Sequence, residues 1–203
     1  MTLVLTCLTP EYVVQVSDKR VTRFSDGAVV DDLRNKGTMY CAEMGFGYTG
    51  LAELEGSAAD RWLAAHLARG STLDECLQIV VRDLTELFAG IRMDTCMKRQ
   101  AFVGAGFCRP TPESHLRACQ VTISNFLSPD GKWCDRANPT FSVEGIVRRE
   151  DRPFTLCRPV GAAVPDAILK RLNRDVRTCI TRDASPLEVM RLLGETVRRV
   201  AGQ

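Results

Sequence analysis

This sequence has little of what membrane proteins, secreted disulfide scaffolds and zinc proteins require. No apolar run approaches the ~18 residues that suggest a membrane-spanning helix, and the first residues lack the basic segment and apolar stretch of a signal peptide. The nine cysteines are odd in number and scattered, without any C-x-x-C pair. We therefore expect a cytoplasmic protein with reduced cysteines, no metal and no other cofactor.

The sequence also has little net charge and few histidines. The 27 basic and 25 acidic residues leave a net charge of +2, which disfavours nucleic acid or an anionic membrane as a partner. Only two histidines are present, and His66 falls in a helical pattern as a packing residue. Cys7 alternates with Leu3 and Leu5 along one strand face, which favours a core position. These features argue against a nucleophile activated by histidine.

The length of 203 residues and the apolar fraction of 45% favour a single domain over residues 1–203. Ser71 and Asp74 form a capping pattern for the second helix. Because strands and helices come in groups, the pattern excludes a doubly wound parallel sheet and favours antiparallel sheets with separate helix layers. The periodicity predicts β-strands at 2–8, 12–17 and 38–48, helices at 57–69 and 71–91, β-strands at 101–108, 116–126, 140–147 and 154–157, and helices at 165–177 and 186–200.

Thr2 stands out by its position. It follows only Met1, and an initiator methionine before a small residue is normally removed. The exposed α-amine would titrate near pH ~8, so it can accept the proton of its own residue's hydroxyl, directly or through one water. A single residue then supplies both nucleophile and base.

Three further sequence pieces follow Thr2 in order. The segment S-D-K-R-V-T occupies 17–22, Lys36 precedes the predicted third strand, and G-Y-T-G at 47–50 leads towards A-A-D at 58–60. In this arrangement the chain resembles the proteasome β-type subunits, in particular the bacterial proteasome homologues, which are N-terminal-nucleophile (Ntn) hydrolases. That family begins with a nucleophilic threonine, carries an S-D-x-R-x-T-like segment after the second strand and places a lysine before the next.

The resemblance implies an α+β fold, the four-layer αββα sandwich of two antiparallel sheets that defines the Ntn hydrolases. It also implies a site made of Thr2, Asp18, Arg20, Lys36 and Gly50. Asp18 would hold Lys36, whose ammonium lowers the cost of forming the Thr2 alkoxide. Arg20 belongs to the same segment as Asp18, and the backbone N–H of Gly50 would bind the oxyanion.

Two parts of the family pattern differ here. Family members carry a G-S-G segment that opens the third helix, whereas this chain has Gly161-Ala162-Ala163. They also continue beyond the fourth helix into an R-D-x-x-S-G segment and closing strands, so we expect the C-terminal strands of this chain to be shortened or missing.

The implied activity is that of a threonine-type peptidase or amidase, whose acyl-enzyme is hydrolysed by water. An acyl transferase or peptide ligase with the same nucleophile is one alternative, and a catalytically silent ring or scaffold subunit is another. The implied partners are a peptide or unfolded-protein substrate and further copies of the chain. Those copies would form a homo-oligomeric ring through apolar surface on residues 57–92, and whether an ATPase assists is left open.

Overall fold

The structure is a computed structural model. It describes residues 2–18, 21–22, 29–31, 36–109, 114–127 and 132–201. Within these ranges the chain is a mixed α+β protein with four helices and several antiparallel sheets. The predicted site residue Arg20 lies outside the described residues.

The strands occupy both halves of the chain. They are β1 (Leu3–Leu8), β2 (Val13–Ser17), β3 (Val21–Thr22), β4 (Val29–Asp31), β5 (Gly37–Tyr40), β6 (Met44–Thr49), β7 (Glu53–Leu54), β8 (Ser57–Ala58), β9 (Ala101–Cys108), β10 (Arg117–Ser124), β11 (Ser142–Val147), β12 (Thr155–Leu156) and β13 (Val160–Gly161). The helices are α1 (Ala59–Leu67), α2 (Leu73–Gly90), α3 (Asp166–Thr181) and α4 (Pro186–Ala201).

Two antiparallel sheets carry most of the strands. In the four-stranded sheet, β1 pairs with β2 on one side and with β12 and β13 on the other. The five-stranded sheet has the order β11-β10-β9-β6-β5. All six residues of β1 are buried, as expected for a strand that is covered on both faces.

Separate apolar clusters cover the faces of these sheets. The largest joins α1 and α2 to the five-stranded sheet, with Trp62, Leu84 and Phe102 among its members. A second joins α3 and α4 to the four-stranded sheet. Two smaller clusters contain residues of both sheets, and Val4 and Val103 meet in one of them. Burial of apolar surface therefore ties each helix pair to one sheet and the two sheets to each other.

The strand predicted at 38–48 is wrong in one respect, because the structure has two strands there. β5 and β6 form a hairpin around Cys41, Ala42 and Glu43, and Tyr40 pairs with Met44. Cys41 and Ala42 have positive φ values of 48° and 56°. Since neither is glycine or asparagine, the turn carries none of the usual sequence signals.

The helix boundaries differ from the sequence patterns at two places. The N-cap of α2 is Thr72, not Ser71, and its hydroxyl accepts a hydrogen bond from the Glu75 N–H at 3.2 Å. The Ser71 N–H in turn donates to the Glu75 carboxylate, so the capping contacts involve Thr72 and Glu75, one residue later than the expected Ser71 and Asp74. Helix α3 extends to Thr181, because the buried Cys179 continues its apolar face.

On the outer helix pair, apolar side chains such as Leu73, Val81 and Leu87 of α2 are half-buried. The large apolar side chains that are exposed among the described residues lie elsewhere, including Met39 on β5 and Leu187 and Met190 on α4. A ring contact through residues 57–92 stays a prediction. As for membranes, none of the helices in the described ranges combines the length and the apolarity needed to cross one.

Two glycines of the five-stranded sheet provide a test of its packing. A Cβ on Gly106 in β9 would lie 2.1 Å from the Glu43 carbonyl oxygen, whereas one on Gly145 in β11 would meet nothing within 4 Å. We expect Gly106→Ala to lower the free energy of unfolding by about 1–3 kcal/mol, because backbone must move to admit the methyl group.

The matched control is Gly145→Ala, which should be neutral or stabilising by up to about 1 kcal/mol. Urea denaturation followed by circular dichroism measures both. Equal effects of the two substitutions would contradict the packing of β9 against β6.

Candidate functional site

Thr2 lies directly before β1 at the end of the four-stranded sheet and is only 7% exposed. Its carbonyl oxygen accepts a hydrogen bond from the Thr49 hydroxyl at 3.0 Å and another from the Ala162 N–H at 3.3 Å. Thr49 ends β6 and Ala162 follows β13. Two segments from distant parts of the chain therefore hold the Thr2 backbone.

Lys36 meets the Thr2 side chain. Its Nζ donates a hydrogen bond to the Thr2 Oγ1 at 2.6 Å, and the lysine is 5% exposed. Lys36 directly precedes β5, so the hairpin of β5 and β6 places it. Because both residues are buried, water screens a charge on Nζ little, and its effect on Oγ1 is larger than at a surface.

Gly161 is the closest backbone neighbour of Thr2. It pairs with Leu3 in the sheet and has a positive φ of 102°. A Cβ at this position would lie 1.9 Å from the Thr2 carbonyl oxygen. Backbone conformation and space both require glycine here. The segment Gly161-Ala162-Ala163, which the resemblance aligns with G-S-G, thus lies beside Thr2, and the Ala162 contact comes from its backbone.

Gly50 follows β6 with a positive φ of 113°. A Cβ there would lie 2.3 Å from the Gln100 Oε1 and 2.4 Å from the Arg99 carbonyl oxygen. The same Gln100 Oε1 accepts a hydrogen bond from the Leu51 N–H at 2.6 Å, and the Gln100 N–H donates to the Asn125 Oδ1 at 2.9 Å. Gln100, which is fully buried, is therefore a positioning residue for the turn at Gly50.

Asp18 lies opposite the first residue of β1. Its N–H donates to the Leu3 carbonyl oxygen at 3.2 Å, and the residue is half-buried. This places it next to Thr2 along the sheet. That the Asp18 carboxylate holds Lys36 stays a prediction, as does any role of Arg20.

The cysteines and His66 are engaged elsewhere. All nine cysteines belong to the described part of the chain and are free thiols. Burial raises the pKa of Cys7 and of Cys157 to about 12, which leaves almost no thiolate at neutral pH. His66 stacks on Trp62 with ring centroids 3.7 Å apart. Its Nε2 lies 3.5 Å from a carboxylate oxygen of Asp83. These surroundings are those of packing residues.

A search for metal ligands gives no site in the ranges that the structure covers. No group of three or more histidine, cysteine, aspartate and glutamate side chains lies close enough together there to hold an ion. The cationic group next to Thr2 in the described site is the Lys36 side chain.

Sequence reasoning assigned no role to Thr49, Gln100 or Asn125, although all three shape the site. Thr49 belongs to the G-Y-T-G segment, where the sequence pattern indicates only an ordinary turn residue. Gln100 and Asn125 follow no motif, and only the pairing of β9 with β6 and β10 brings them near Gly50. Long-range pairing of this kind leaves no local signal.

No protein-family model matches this sequence, and a search of curated proteins returns no match. A functional proposal for the chain therefore depends on the chemistry of Thr2 and its neighbours.

The thiol environments predict a pattern of alkylation. At pH 8 a thiol with a pKa of about 12 is thiolate in only about one molecule in ten thousand, so Cys7 and Cys157 should resist iodoacetamide in the native state. Cys41 is exposed and should react.

Peptide mapping by mass spectrometry measures the labelling site by site, and protein unfolded in urea, where all nine cysteines should react, is the control. Rapid labelling of Cys7 or Cys157 in native protein would contradict these environments.

Proposed function

We propose that this chain is an N-terminal threonine hydrolase, a threonine-type peptidase or amidase with Thr2 as its nucleophile. The observation that supports this most is the hydrogen bond of 2.6 Å from the Lys36 Nζ to the Thr2 Oγ1 in a buried site. Burying a lysine side chain is unfavourable unless its ammonium is hydrogen-bonded. An ordinary threonine hydroxyl, in contrast, does not need an ammonium group as its partner. Stabilisation of an alkoxide is a chemical use for this arrangement.

We also propose that the layers form the αββα sandwich of the Ntn hydrolases. The clusters that join α1 and α2 to one sheet and α3 and α4 to the other support this order. The smaller clusters between the sheets support it as well. In that fold Thr2 lies at the end of a strand between the sheets, where a substrate can approach its hydroxyl.

The proposed reaction begins with removal of Met1, because a peptide nitrogen cannot act as a base. The free α-amine of Thr2 takes the proton from Oγ1, and the oxygen attacks the carbonyl carbon of an amide. The Lys36 ammonium stabilises the developing negative charge on Oγ1. A new C–O bond forms, and the carbonyl π electrons move to the substrate oxygen.

The tetrahedral intermediate then collapses. The backbone N–H of Gly50 is the proposed donor to the oxyanion, and Gln100 positions this turn through the Leu51 N–H. The C–N bond breaks, and the leaving amine takes the proton from the α-ammonium group of Thr2. An ester on Thr2 remains, and water attacks it with the α-amine as base to release an acid and regenerate the enzyme.

Two other outcomes use the same site. If an amine replaces water, the enzyme is an acyl transferase or peptide ligase. If the absence of a side-chain hydroxyl at Ala162 and Ala163 leaves the α-amine unsupported, the chain is a silent subunit. The proposed substrate is a peptide or unfolded protein in the cytoplasm. We also propose that copies of the chain associate into a ring.

The first prediction concerns Met1. We expect intact-mass spectrometry of the purified chain to show loss of Met1, since catalysis requires the Thr2 α-amine. An electrophile that reacts with N-terminal threonines, such as a β-lactone, should then add one acyl group, and peptide mapping should place it on Thr2.

The control is Thr2→Ala, which also loses Met1 and should acquire no adduct. Active protein that fully retains Met1 would refute the assignment of Thr2 as the nucleophile.

The second prediction concerns the Lys36 ammonium. Lys36→Ala, and Lys36→Met, which keeps most of the side-chain volume, should each lower the rate of Thr2 acylation by about 100-fold or more, because the alkoxide loses its cationic neighbour. Thr2→Ser should retain part of the rate, since it keeps the hydroxyl and the amine.

The matched control is Lys170→Met on the exposed surface of α3, which should leave the rate unchanged. Wild-type rates in both Lys36 variants would refute the role of Lys36. A processed wild-type chain that forms no adduct would instead favour the silent subunit.

A further inference from the structure

A cleft of about 430 Å³ lies beside Thr2 and has no part in the proposed bond-breaking steps. Gly161 and Ala162 line one end of it, and these are the residues that touch the Thr2 carbonyl oxygen from the neighbouring strand. A volume of this size suits a small organic group. The cleft therefore adjoins the reacting residue across a single strand.

The walls of the cleft are largely apolar. Phe126 and Trp133 pack against each other with ring centroids 5.0 Å apart. Trp133 is held in place by the β-bridge to Leu127, and Val164 and Leu169 add further apolar side chains to the lining. An apolar or aromatic group fits these walls better than a chain of hydrated polar groups.

Two guanidinium groups stand at the same cleft. Arg99 is separated from β9 by Gln100, and its guanidinium carbon lies 5.8 Å from the centre of the Phe126 ring. Its Nε donates to the Cys96 carbonyl oxygen, which orients the group and leaves its terminal N–H donors in the fork geometry that carboxylates match. Arg158 is exposed in the link between β12 and β13. Asp135 is the single carboxylate among the lining residues, so the cleft carries an excess of positive charge.

We propose that this cleft binds a carboxylate attached to an apolar or aromatic group, so that the preferred amide substrates are carboxylate-bearing. Arg158 would form a charge-assisted hydrogen bond to the carboxylate, Arg99 would add a second positive charge, and Trp133 would pack against the apolar body. A free C-terminal carboxylate and an acidic side chain next to an aromatic residue both have this chemistry. The substrate preference depends on the proposed function, but binding in the cleft does not.

Tryptophan fluorescence can report on the cleft without any catalysis. The chain has two tryptophans. Trp62 belongs to α1 and is buried in the core at 4% exposure, whereas Trp133 lines the cleft. The experiment titrates the Thr2→Ala protein, which cannot turn over, with three probes. They are N-acetyl-phenylalanine, its uncharged amide, and N-acetyl-aspartyl-phenylalanine amide, which carries the carboxylate on a side chain.

We expect at least one carboxylate probe to change the fluorescence at a concentration about tenfold or more below that needed for the uncharged amide. The tighter of the two acids identifies the source of the carboxylate. Arg158→Gln should weaken the acid by about tenfold and leave the amide unaffected. Arg61→Gln, on the exposed surface of α1, is the matched control and should change neither.

Equal binding of the acids and the amide, absence of binding by all three, or unchanged binding in Arg158→Gln would overturn the proposal. Trp133→Phe should remove the signal, and a response that persists would place the ligand elsewhere and overturn it as well. Failure of Thr2 to accept an electrophile would refute the proposed function but would leave carboxylate binding standing.

Discussion

The site depends on one buried contact, the hydrogen bond from the Lys36 ammonium to the Thr2 hydroxyl. Moving a lysine side chain out of water is unfavourable, so the fold must provide hydrogen bonds and hold them in place. The same burial that makes the contact costly also makes it chemically effective, because a cation in a poorly screened environment changes the energy of a nearby oxygen more than it would in water. Stability and proposed activity thus make opposite demands on Lys36.

The backbone around Thr2 is held as tightly as its side chain. Gly161 leaves room for the Thr2 carbonyl oxygen, Thr49 donates to that oxygen from the other sheet, and Gln100 fixes the turn that follows Thr49. These restraints come from both sheets, so the arrangement exists only when the sheets are packed together. A preorganised site is what electrostatic stabilisation requires, since donors that must reorient during the reaction lose much of their effect.

Strand β13 and the residue that follows it link the proposed binding cleft to the proposed nucleophile. Gly161 and Ala162 contact Thr2 on one side and line the cleft on the other. A carboxylate held by Arg158 would therefore anchor the substrate beside the strand that contacts Thr2. Positioning of this kind raises the rate of attack without any new group at the reacting centre.

The local features of this protein, its helices, most of its strands and its candidate site residues, follow from sequence patterns. Periodicity placed the four helices and most strands, because the side chains that each element buries recur at the spacing of that element. The position of Thr2 and the order of the segments containing Asp18, Lys36 and Gly50 indicated a candidate site. The turn at Cys41 and Ala42 was missed, since neither residue type signals a positive φ.

Contacts between side chains that are distant in the sequence, in contrast, depend on the tertiary structure. The contact of Thr2 with Lys36, the closeness of Gly161, the role of Gln100 and the cleft between Arg99 and Arg158 all follow from strand pairing and sheet packing. The extent to which apolar side chains of α1 and α2 are covered likewise depends on how the helices pack. The physical reason is that local patterns specify which face of an element is buried, whereas the partner of that face is set by contacts between residues far apart in the chain.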